Sequence, residues 1–262
     1  MSNHKALNMF GRSGNPSLNA QTFCNSAKDA SFSAQANQTM TLEGTVNKTG
    51  ILLALVVASA SITWSMFFES GNPASVMPLA IGGAVVGFIL ALVTIFKKQW
   101  SGTTAPFYAV AEGLFLGAIS AIFEAQYPGI VIQAVGLTLG TLASLLFLYK
   151  TGIVKPTENF RLMVTSATMG IGLLYLVSML MNMFGSGGVG FIHSNGLFGI
   201  GFSLFVVAIA ALNLVLDFDF IEQGSEMGAP KYMEWFGAFS LMVTLIWLYL
   251  EMLRLLAKLR SR

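Results

Sequence analysis

The sequence predicts an all-α integral membrane protein, a bundle of seven transmembrane helices. Of its 262 residues, 55% are hydrophobic and only 10% are charged, whereas a soluble domain carries about 25% charged residues. Apolar stretches of the roughly 20 residues that a bilayer crossing needs fill the chain from Thr49 onward. These stretches are continuously apolar and do not alternate, which excludes a transmembrane β-barrel.

Residues 1–48 predict a polar, mostly disordered tail, because they are rich in Asn, Ser, Gln and Ala and lack a long apolar run. The absence of such a run also argues against a signal peptide. The end of the tail, Met40–Gly50, could form a short interfacial helix. Cys24 is the single cysteine, so the chain has no internal disulfide and no multi-cysteine metal site.

Seven spans make up a predicted transmembrane domain, residues 49–258, followed by a short basic terminus, 259–262. Glycine and proline fall in the breaks, as in Gly71-Asn72-Pro73 and Pro128-Gly129. Because the connections are short, consecutive helices should be antiparallel neighbours. The predicted spans are Thr49–Phe68, Met77–Phe96, Ala105–Ala125, Gly129–Tyr149, Leu162–Phe184, Gly196–Leu216 and Trp235–Leu256.

Pairs of small residues spaced four apart predict close helix contacts inside a tightly packed bundle. The spacing indicates packing and says little about function. The pairs are Gly83 and Gly87, Gly113 and Gly117, and Gly136 and Gly140.

The distribution of Lys and Arg predicts a cytoplasmic N-terminus. One side of the membrane receives every basic residue before the last span, and the three opposite loops carry none. Those residues are Lys5, Arg12, Lys28, Lys48, Lys97, Lys98, Lys150, Lys155, Arg161 and Lys231.

The C-terminus conflicts with this orientation. Seven crossings would place it outside, yet it carries Arg254, Lys258, Arg260 and Arg262. Either the loop pairs determine the orientation or the last span does not cross fully; we favour seven crossings.

Glu112 lies about two turns inside the third span, where an ionised carboxylate costs about 2–3 kcal/mol or more. Two interpretations stay open. Glu112 handles ions or protons, or it is protonated and hydrogen-bonded to a neighbouring helix. Glu124, at the other end of this span, is predicted to be an interfacial carboxylate.

Asp217 and Asp219 follow the sixth span, near the predicted cytoplasmic boundary. Asn213 lies one turn before Asp217 and on the same face. The following loop adds Glu222, Glu226 and Glu234, an acidic mouth that would concentrate cations. A carboxylate without a partner at a helix C-terminus opposes the helix dipole, so Asp217 fits the interpretation of a solvated end charge poorly.

The last span carries Thr244 and Glu251 on one face, and Arg254 is three residues after Glu251. Glu251 and Arg254 are interpreted either as a structural pair near the outer boundary or as part of an ion pathway.

Several functional classes lack support in the residues. The net charge of +2 predicts no nucleic-acid partner. His4 lies in the tail and His193 in an outer loop, so no intramembrane histidine can act as a base or metal ligand. Nucleotide and hydrolase motifs are absent. We therefore predict no enzyme, no cofactor and no bound metal centre.

The chain resembles the Bax inhibitor-1/YccA family, the transmembrane Bax-inhibitor-motif proteins, and its prokaryotic branch most of all. The order of several motifs along nearly the whole chain carries the resemblance. They are Ser13-Gly-Asn-Pro-Ser-Leu-Asn, Ala111-Glu-Gly-Leu-Phe-Leu-Gly, Tyr127-Pro-Gly-Ile-Val-Ile-Gln-Ala-Val, Leu212-Asn-Leu-Val-Leu-Asp-Phe-Asp-Phe-Ile-Glu and Trp247-Leu-Tyr-Leu-Glu-Met-Leu-Arg-Leu-Leu.

This resemblance implies a seven-helix bundle with the last helix near its centre and a pH-sensitive calcium leak. In the family an aspartate from the sixth helix and one from the seventh share a proton and close the cytoplasmic side. Asp217 matches the first, but the second aligns with Thr244, which carries no charge. The two-aspartate switch is therefore incomplete, and Asp219, Glu234 and Glu112 are the candidate substitutes.

Two functions follow as expectations for a protein of the bacterial inner membrane. The first is a pH-sensitive cation leak, calcium by resemblance, that uses the intramembrane carboxylates. The second is a non-transporting interaction protein that modulates a membrane-bound AAA protease, as some bacterial family members do, or another integral membrane protein. The tail would then be the docking element.

Overall fold

The computed structural model describes residues 39–185 and 189–261. Of these residues 87% are helical and none forms a strand. The predicted tail up to residue 38, with Cys24 and the motif that begins at Ser13, lies outside the described residues. The all-α prediction is confirmed.

Seven helices of the described chain are long and apolar enough to cross a membrane, which confirms the predicted spans. A one-turn 3₁₀ helix, Lys98–Trp100, precedes the third, and a single helical turn, Gly190–His193, precedes the sixth. The seven are α1 (Leu42–Ser70), α2 (Pro73–Phe96), α3 (Ser101–Gln126), α4 (Ile130–Lys150), α5 (Glu158–Met183), α6 (Leu197–Glu226) and α7 (Met233–Arg260).

The first helix begins earlier than the predicted span. The Thr41 hydroxyl accepts a hydrogen bond from Gly44 N–H and caps the N-terminus of α1, so the stretch considered as an interfacial helix is part of α1. The helix ends at Gly71, which has φ of 63° and therefore adopts the left-handed conformation that favours glycine. Asn72 then caps α2, and Pro73 occupies its first turn.

The sixth helix ends later than predicted. It continues past Leu216 to Glu226, so Asp217 and Asp219 lie inside the helix and are buried. The predicted position at the end of the helix is wrong for both. Glu222 and Glu226 also belong to α6, and Glu234 belongs to the first turn of α7, so the three do not share one loop.

The described chain divides into two compact units. Unit A contains residues 39–131 and 221–243, and unit B contains residues 132–220 and 244–261, except for residues 186–188. Helices α6 and α7 contribute residues to both units.

In unit A, glycines bring three helices together. A Cβ atom at Gly113 or Gly117 would collide with the backbone of α1 at Val56 or Ala60, and one at Gly83 would collide with the carbonyl of Ala111 in α3. These contacts confirm the two glycine pairs of α2 and α3. The prediction for the α4 pair, Gly136 and Gly140, is wrong, because nothing lies within 4 Å of a Cβ atom built at either position.

Burial differs strongly among the helices. In α7, 78% of the most apolar 18-residue window is buried, against 17% in α4. The high burial of α7 is what a central last helix requires. Large apolar side chains such as Phe88, Ile132 and Leu173 are exposed on α2, α4 and α5, as expected for surfaces that face lipid.

The basic C-terminal end of α7 is bound to other parts of unit B. Lys258 is buried, and its Nζ donates to Ile192 O (2.6 Å), Gly199 O (3.0 Å) and Ser203 Oγ (2.8 Å). Arg260 donates to Gln133 Oε1 at the start of α4 (2.9 Å). This end of α7 therefore lies beside the start of α4 and the α5–α6 connection, which favours a full crossing by the last span.

Candidate functional site

Asp217 is the most buried of the predicted site carboxylates in unit B. Its exposed fraction is 0%, and its Oδ2 accepts a hydrogen bond from the Thr244 hydroxyl at 2.6 Å. The residue that replaces the family aspartate on the seventh helix is thus in contact with the sixth-helix aspartate. A hydroxyl stands where the resemblance implies a second carboxylate.

Further polar side chains lie around Asn213, one turn before Asp217 on α6. Asn213 Nδ2 donates to Thr168 Oγ1 (2.8 Å) and to Ile209 O (2.9 Å), which leaves its carbonyl Oδ1 facing the other way. That Oδ1 and the Thr165 hydroxyl are buried and have no hydrogen-bond partner among the described residues. Since Thr165 is three residues before Thr168, both lie on one face of α5. Asp217, Thr244, Asn213, Thr168 and Thr165 are called the Asp217 layer.

Asp219 has a cationic partner. Arg161 Nη2 donates to Asp219 Oδ2 at 2.5 Å, and both side chains are largely buried. Arg161 was interpreted as a loop charge but lies in the first turn of α5. A carboxylate held by guanidinium is poorly suited to replace the missing aspartate.

Glu251 and Arg254 form the predicted pair, with Arg254 Nη1 2.6 Å from Glu251 Oε1. The Tyr175 hydroxyl of α5 donates to the same oxygen (3.0 Å) and accepts from Arg254 (3.0 Å). Glu251 is 1% exposed, and its Oε2 has no hydrogen-bond partner among the described residues. These three residues are called the Glu251 layer.

Apolar side chains lie between the two layers. Ile171, Val206 and Ile209 form a buried cluster, against which Phe202 and Trp247 pack. On α5, Ile171 lies between Thr168 and Tyr175 in the sequence. On α6, Val206 and Ile209 lie between Phe202 and Asn213. On α7, Trp247 lies between Thr244 and Glu251. Unit B therefore carries two polar layers separated by an apolar one.

Glu234 lies in unit A, and both oxygen atoms of its carboxylate have hydrogen-bond or ion-pair partners. Its exposed fraction is 0%, Lys48 Nζ donates to Oε2, and Lys231 Nζ lies 2.8 Å from Oε1. Thr41 adds its N–H (2.9 Å) and its hydroxyl (2.8 Å) to Oε1. This carboxylate fastens the starts of α1 and α7 to each other, a structural role.

The two carboxylates of α3 differ from each other. Glu124 accepts from the N–H groups of Gly129 (2.5 Å) and Val131 (3.0 Å), which caps the start of α4. Glu112, in mid-helix and half-buried, makes no hydrogen bond or ion pair within the described residues. The predicted alternative of a hydrogen bond to a neighbouring helix is therefore not observed there.

The Asp217 layer offers one carboxylate, one amide oxygen and three hydroxyls, the neutral and anionic oxygen atoms that a hard cation prefers. No group of three or more His, Cys, Asp and Glu residues that could hold a metal ion occurs in the part of the chain that the structure describes.

Sequence reasoning missed several site residues. Four of them lie on one face of α5, at successive intervals of four, three and seven residues: Arg161, Thr165, Thr168 and Tyr175. That spacing of polar residues within an apolar helix was present in the sequence and could have indicated a buried polar face. Lys258 was counted only as a charge that determines orientation.

The comparisons with known proteins bear on identity. The family model described as Bax inhibitor 1 like matches residues 15–261, nearly the whole chain. No curated protein and no solved structure matches the sequence. With seven membrane-spanning helices and this match, the chain belongs to the Bax inhibitor 1 like family of integral, multi-pass membrane proteins.

Proposed function

We propose that the protein is a pH-sensitive cation leak channel, with calcium as the ion that the family resemblance implies. The cation passes through unit B along the face that α5, α6 and α7 share. The observation that carries the proposal is the pair of buried oxygen atoms without hydrogen-bond partners, Asn213 Oδ1 and Thr165 Oγ1, on the same faces as Asp217 and Thr168. Buried polar atoms are almost always satisfied, so such exceptions favour a site for water or an ion.

The three layers of unit B give this proposal a mechanism. Asp217 and its neighbouring oxygen atoms replace part of the hydration shell of the cation. The cluster of Ile171, Val206 and Ile209 is the barrier in the state described, because an ion cannot shed its water against hydrocarbon. Opening requires α5, α6 and α7 to separate at this level. The Glu251 layer is then the second carboxylate contact.

The decisive measurement is calcium flux into proteoliposomes across about pH 6 to 8 for the wild type and Asp217→Asn. We expect flux that depends on pH in the wild type and a large loss of that flux in the variant. Flux unchanged by Asp217→Asn would remove this residue from the pathway.

Asn213 has a matched control. Asn213→Leu removes the oxygen without a partner from the Asp217 layer and should lower flux, whereas Asn182→Leu makes the same change at an exposed position of α5. Equal flux in the two variants would contradict the assignment of the layer.

Thr244→Asp tests how pH acts. The substitution places a second carboxylate beside Asp217, and two adjacent carboxylates cannot both ionise cheaply. We expect a steeper dependence of flux on pH than in the wild type. A variant with an unchanged pH profile would show that the missing aspartate is not what sets the response.

The interaction hypothesis is the second candidate. Thr39 forms an isolated bridge with Pro230, and Met40 N–H donates to Ala229 O (2.6 Å), so the first described residues are joined to the α6–α7 connection. A partner bound to residues 1–38, such as a membrane-bound AAA protease, would be held there. Deleting residues 2–38 spares this contact and should abolish co-purification of the partner. Absence of flux at every pH combined with such a loss would favour this function.

The location is part of the proposal. We infer a cytoplasmic N-terminus from the distribution of Lys and Arg. The bacterial inner membrane is inferred from the resemblance to the prokaryotic branch of the family. Reporter fusions at residue 1 and residue 262 that are active on only one side should report opposite sides, since seven helices cross.

A further inference from the structure

Glu112 of unit A is a carboxylate without a counter-charge in the middle of an apolar span. It is the twelfth residue of α3, a helix of 26 residues, and is half-buried. Within the described chain its side chain has neither a hydrogen bond nor an ion pair. An ionised carboxylate in the middle of a span costs about 2–3 kcal/mol or more, so a group there without a counter-charge is a candidate for binding a proton.

Gly87 of α2 makes room for this carboxylate. A Cβ atom at Gly87 would lie 2.7 Å from Glu112 Oε1 and 3.2 Å from Cδ. The carboxyl group therefore lies directly against the backbone of α2, in a notch that any larger residue would close. One turn earlier on α2, Gly83 lies against the carbonyl of Ala111 in the same way.

The surroundings of Glu112 hold few titratable groups. Helix α2 has none along its whole length, and α1 has only Glu43, Lys48 and Glu69, all near its ends. On α3 itself the nearest is Tyr108, one turn before Glu112. Tyr108 packs edge-on against Phe239 of α7. The part of α7 that belongs to unit A has Glu234 as its one titratable group, and Glu234 is paired with Lys48 and Lys231.

We propose that Glu112 and the Gly87 notch form a proton-binding site within unit A. This site exchanges its proton from the apolar side of the unit. A proton fits the site better than a metal ion does. Calcium takes about six to eight oxygen ligands, whereas the notch presents one carboxyl group and helix backbone. The inference does not rest on the proposed function, and its test does not use flux.

A hydrophobic carbodiimide tests this site directly. The protonated carboxyl group adds its O–H across one C=N bond of dicyclohexylcarbodiimide, and the resulting O-acylisourea rearranges to a stable N-acylurea without a leaving group. The full chain in liposomes is treated with the reagent, and peptide mass spectrometry locates the adduct. We expect an adduct on Glu112 that decreases by up to about tenfold per pH unit once the group ionises.

The chain offers matched controls. Glu124 should stay unlabelled, because both its oxygen atoms accept backbone N–H groups. Gly87→Ala should displace the carboxyl group and change the labelling of Glu112 severalfold. Gly82→Ala, the same change on the same helix with nothing within 4 Å, should leave it unchanged.

Three results would overturn the inference. They are no adduct on Glu112 at any pH, labelling independent of pH, and equal labelling by a water-soluble carbodiimide, which would place Glu112 in an aqueous path. Loss of calcium flux in Asp217→Asn, or its absence, has no bearing on these results.

Discussion

The two units of the chain satisfy their buried polar groups to different degrees. Among the described residues, four buried side-chain atoms lack a hydrogen-bond partner, and all four lie in unit B: Arg161 Nε, Thr165 Oγ1, Asn213 Oδ1 and Glu251 Oε2. In unit A, the buried carboxylate Glu234 receives two ammonium groups, a hydroxyl and a backbone N–H.

We interpret unit A as mainly structural and unit B as the unit that carries the candidate site. Unit A combines a satisfied buried charge with helix contacts so close that glycine is required. Unit B keeps polar atoms in places where an apolar side chain of equal size would be more stable. Proteins depart from full satisfaction mainly where function requires it. Apart from Glu112, unit B is therefore where we expect substitutions to change activity, and unit A is where we expect them to change stability.

The largest effect is expected from Glu234→Leu. Removing the carboxylate leaves Lys48 without its partner in a largely buried position, a change that costs about 3 kcal/mol. The melting temperature of the purified protein in detergent should drop strongly. Lys231→Met is the control, because that side chain is 47% exposed and its loss should matter little. Equal melting temperatures for the two variants would contradict a structural role for Glu234.

A smaller loss is expected from Thr244→Val in unit B. The hydroxyl that donates to the buried Asp217 disappears, and depriving a buried polar group of a hydrogen-bond partner costs about 1–3 kcal/mol. Thr138→Val is matched, since the buried Thr138 hydroxyl bonds only the carbonyl of Ala134 in its own helix. A difference in melting temperature between the two variants measures the Asp217 contact; no difference would argue that the contact contributes nothing.

Gly117→Ala tests the close packing of unit A. The added methyl group collides with the Ala60 carbonyl and the Thr63 side chain of α1, and overpacking of this kind costs about 1–3 kcal/mol. Gly136→Ala adds the same group to open space on α4 and should stabilise that helix by up to about 1 kcal/mol. Opposite shifts in thermal stability are therefore expected, and parallel shifts would contradict the described α1–α3 contact.

The sequence predicted the helices better than it predicted their partners. Apolar runs and the Gly71-Asn72-Pro73 break located α2 to within four residues and the end of α1 to within two, because lipid selects continuous apolar helices. The end of α6 was misplaced, because hydropathy cannot distinguish a buried polar turn from a loop. The pairing of Asp217 with Thr244 follows from the resemblance, whereas the bond between Lys48 and Glu234 joins residues 186 positions apart, a pairing that one sequence does not specify.

The smallest effect on stability, and the sharpest comparison inside unit B, concerns two threonines on one face of α5. Thr165 has a buried hydroxyl without a hydrogen-bond partner, whereas the Thr168 hydroxyl accepts from Asn213 and donates to Val164 O. Thr165→Val replaces the hydroxyl with a methyl group of similar size and should be neutral or stabilising by up to about 1 kcal/mol. Thr168→Val leaves one of the two side-chain N–H groups of Asn213 without its acceptor and should destabilise by about the same amount.

Flux measured on the Thr165 and Thr168 variants decides what the Thr165 hydroxyl does. If a cation contacts the Asp217 layer, Thr165→Val removes one of its oxygen ligands and should lower flux while the melting temperature stays equal or rises. Such a result would separate function from stability at one atom, because the hydroxyl would lower stability and yet be needed for transport. A stable Thr165→Val protein with full flux would remove Thr165 from the pathway and leave its buried hydroxyl as a cost without a function.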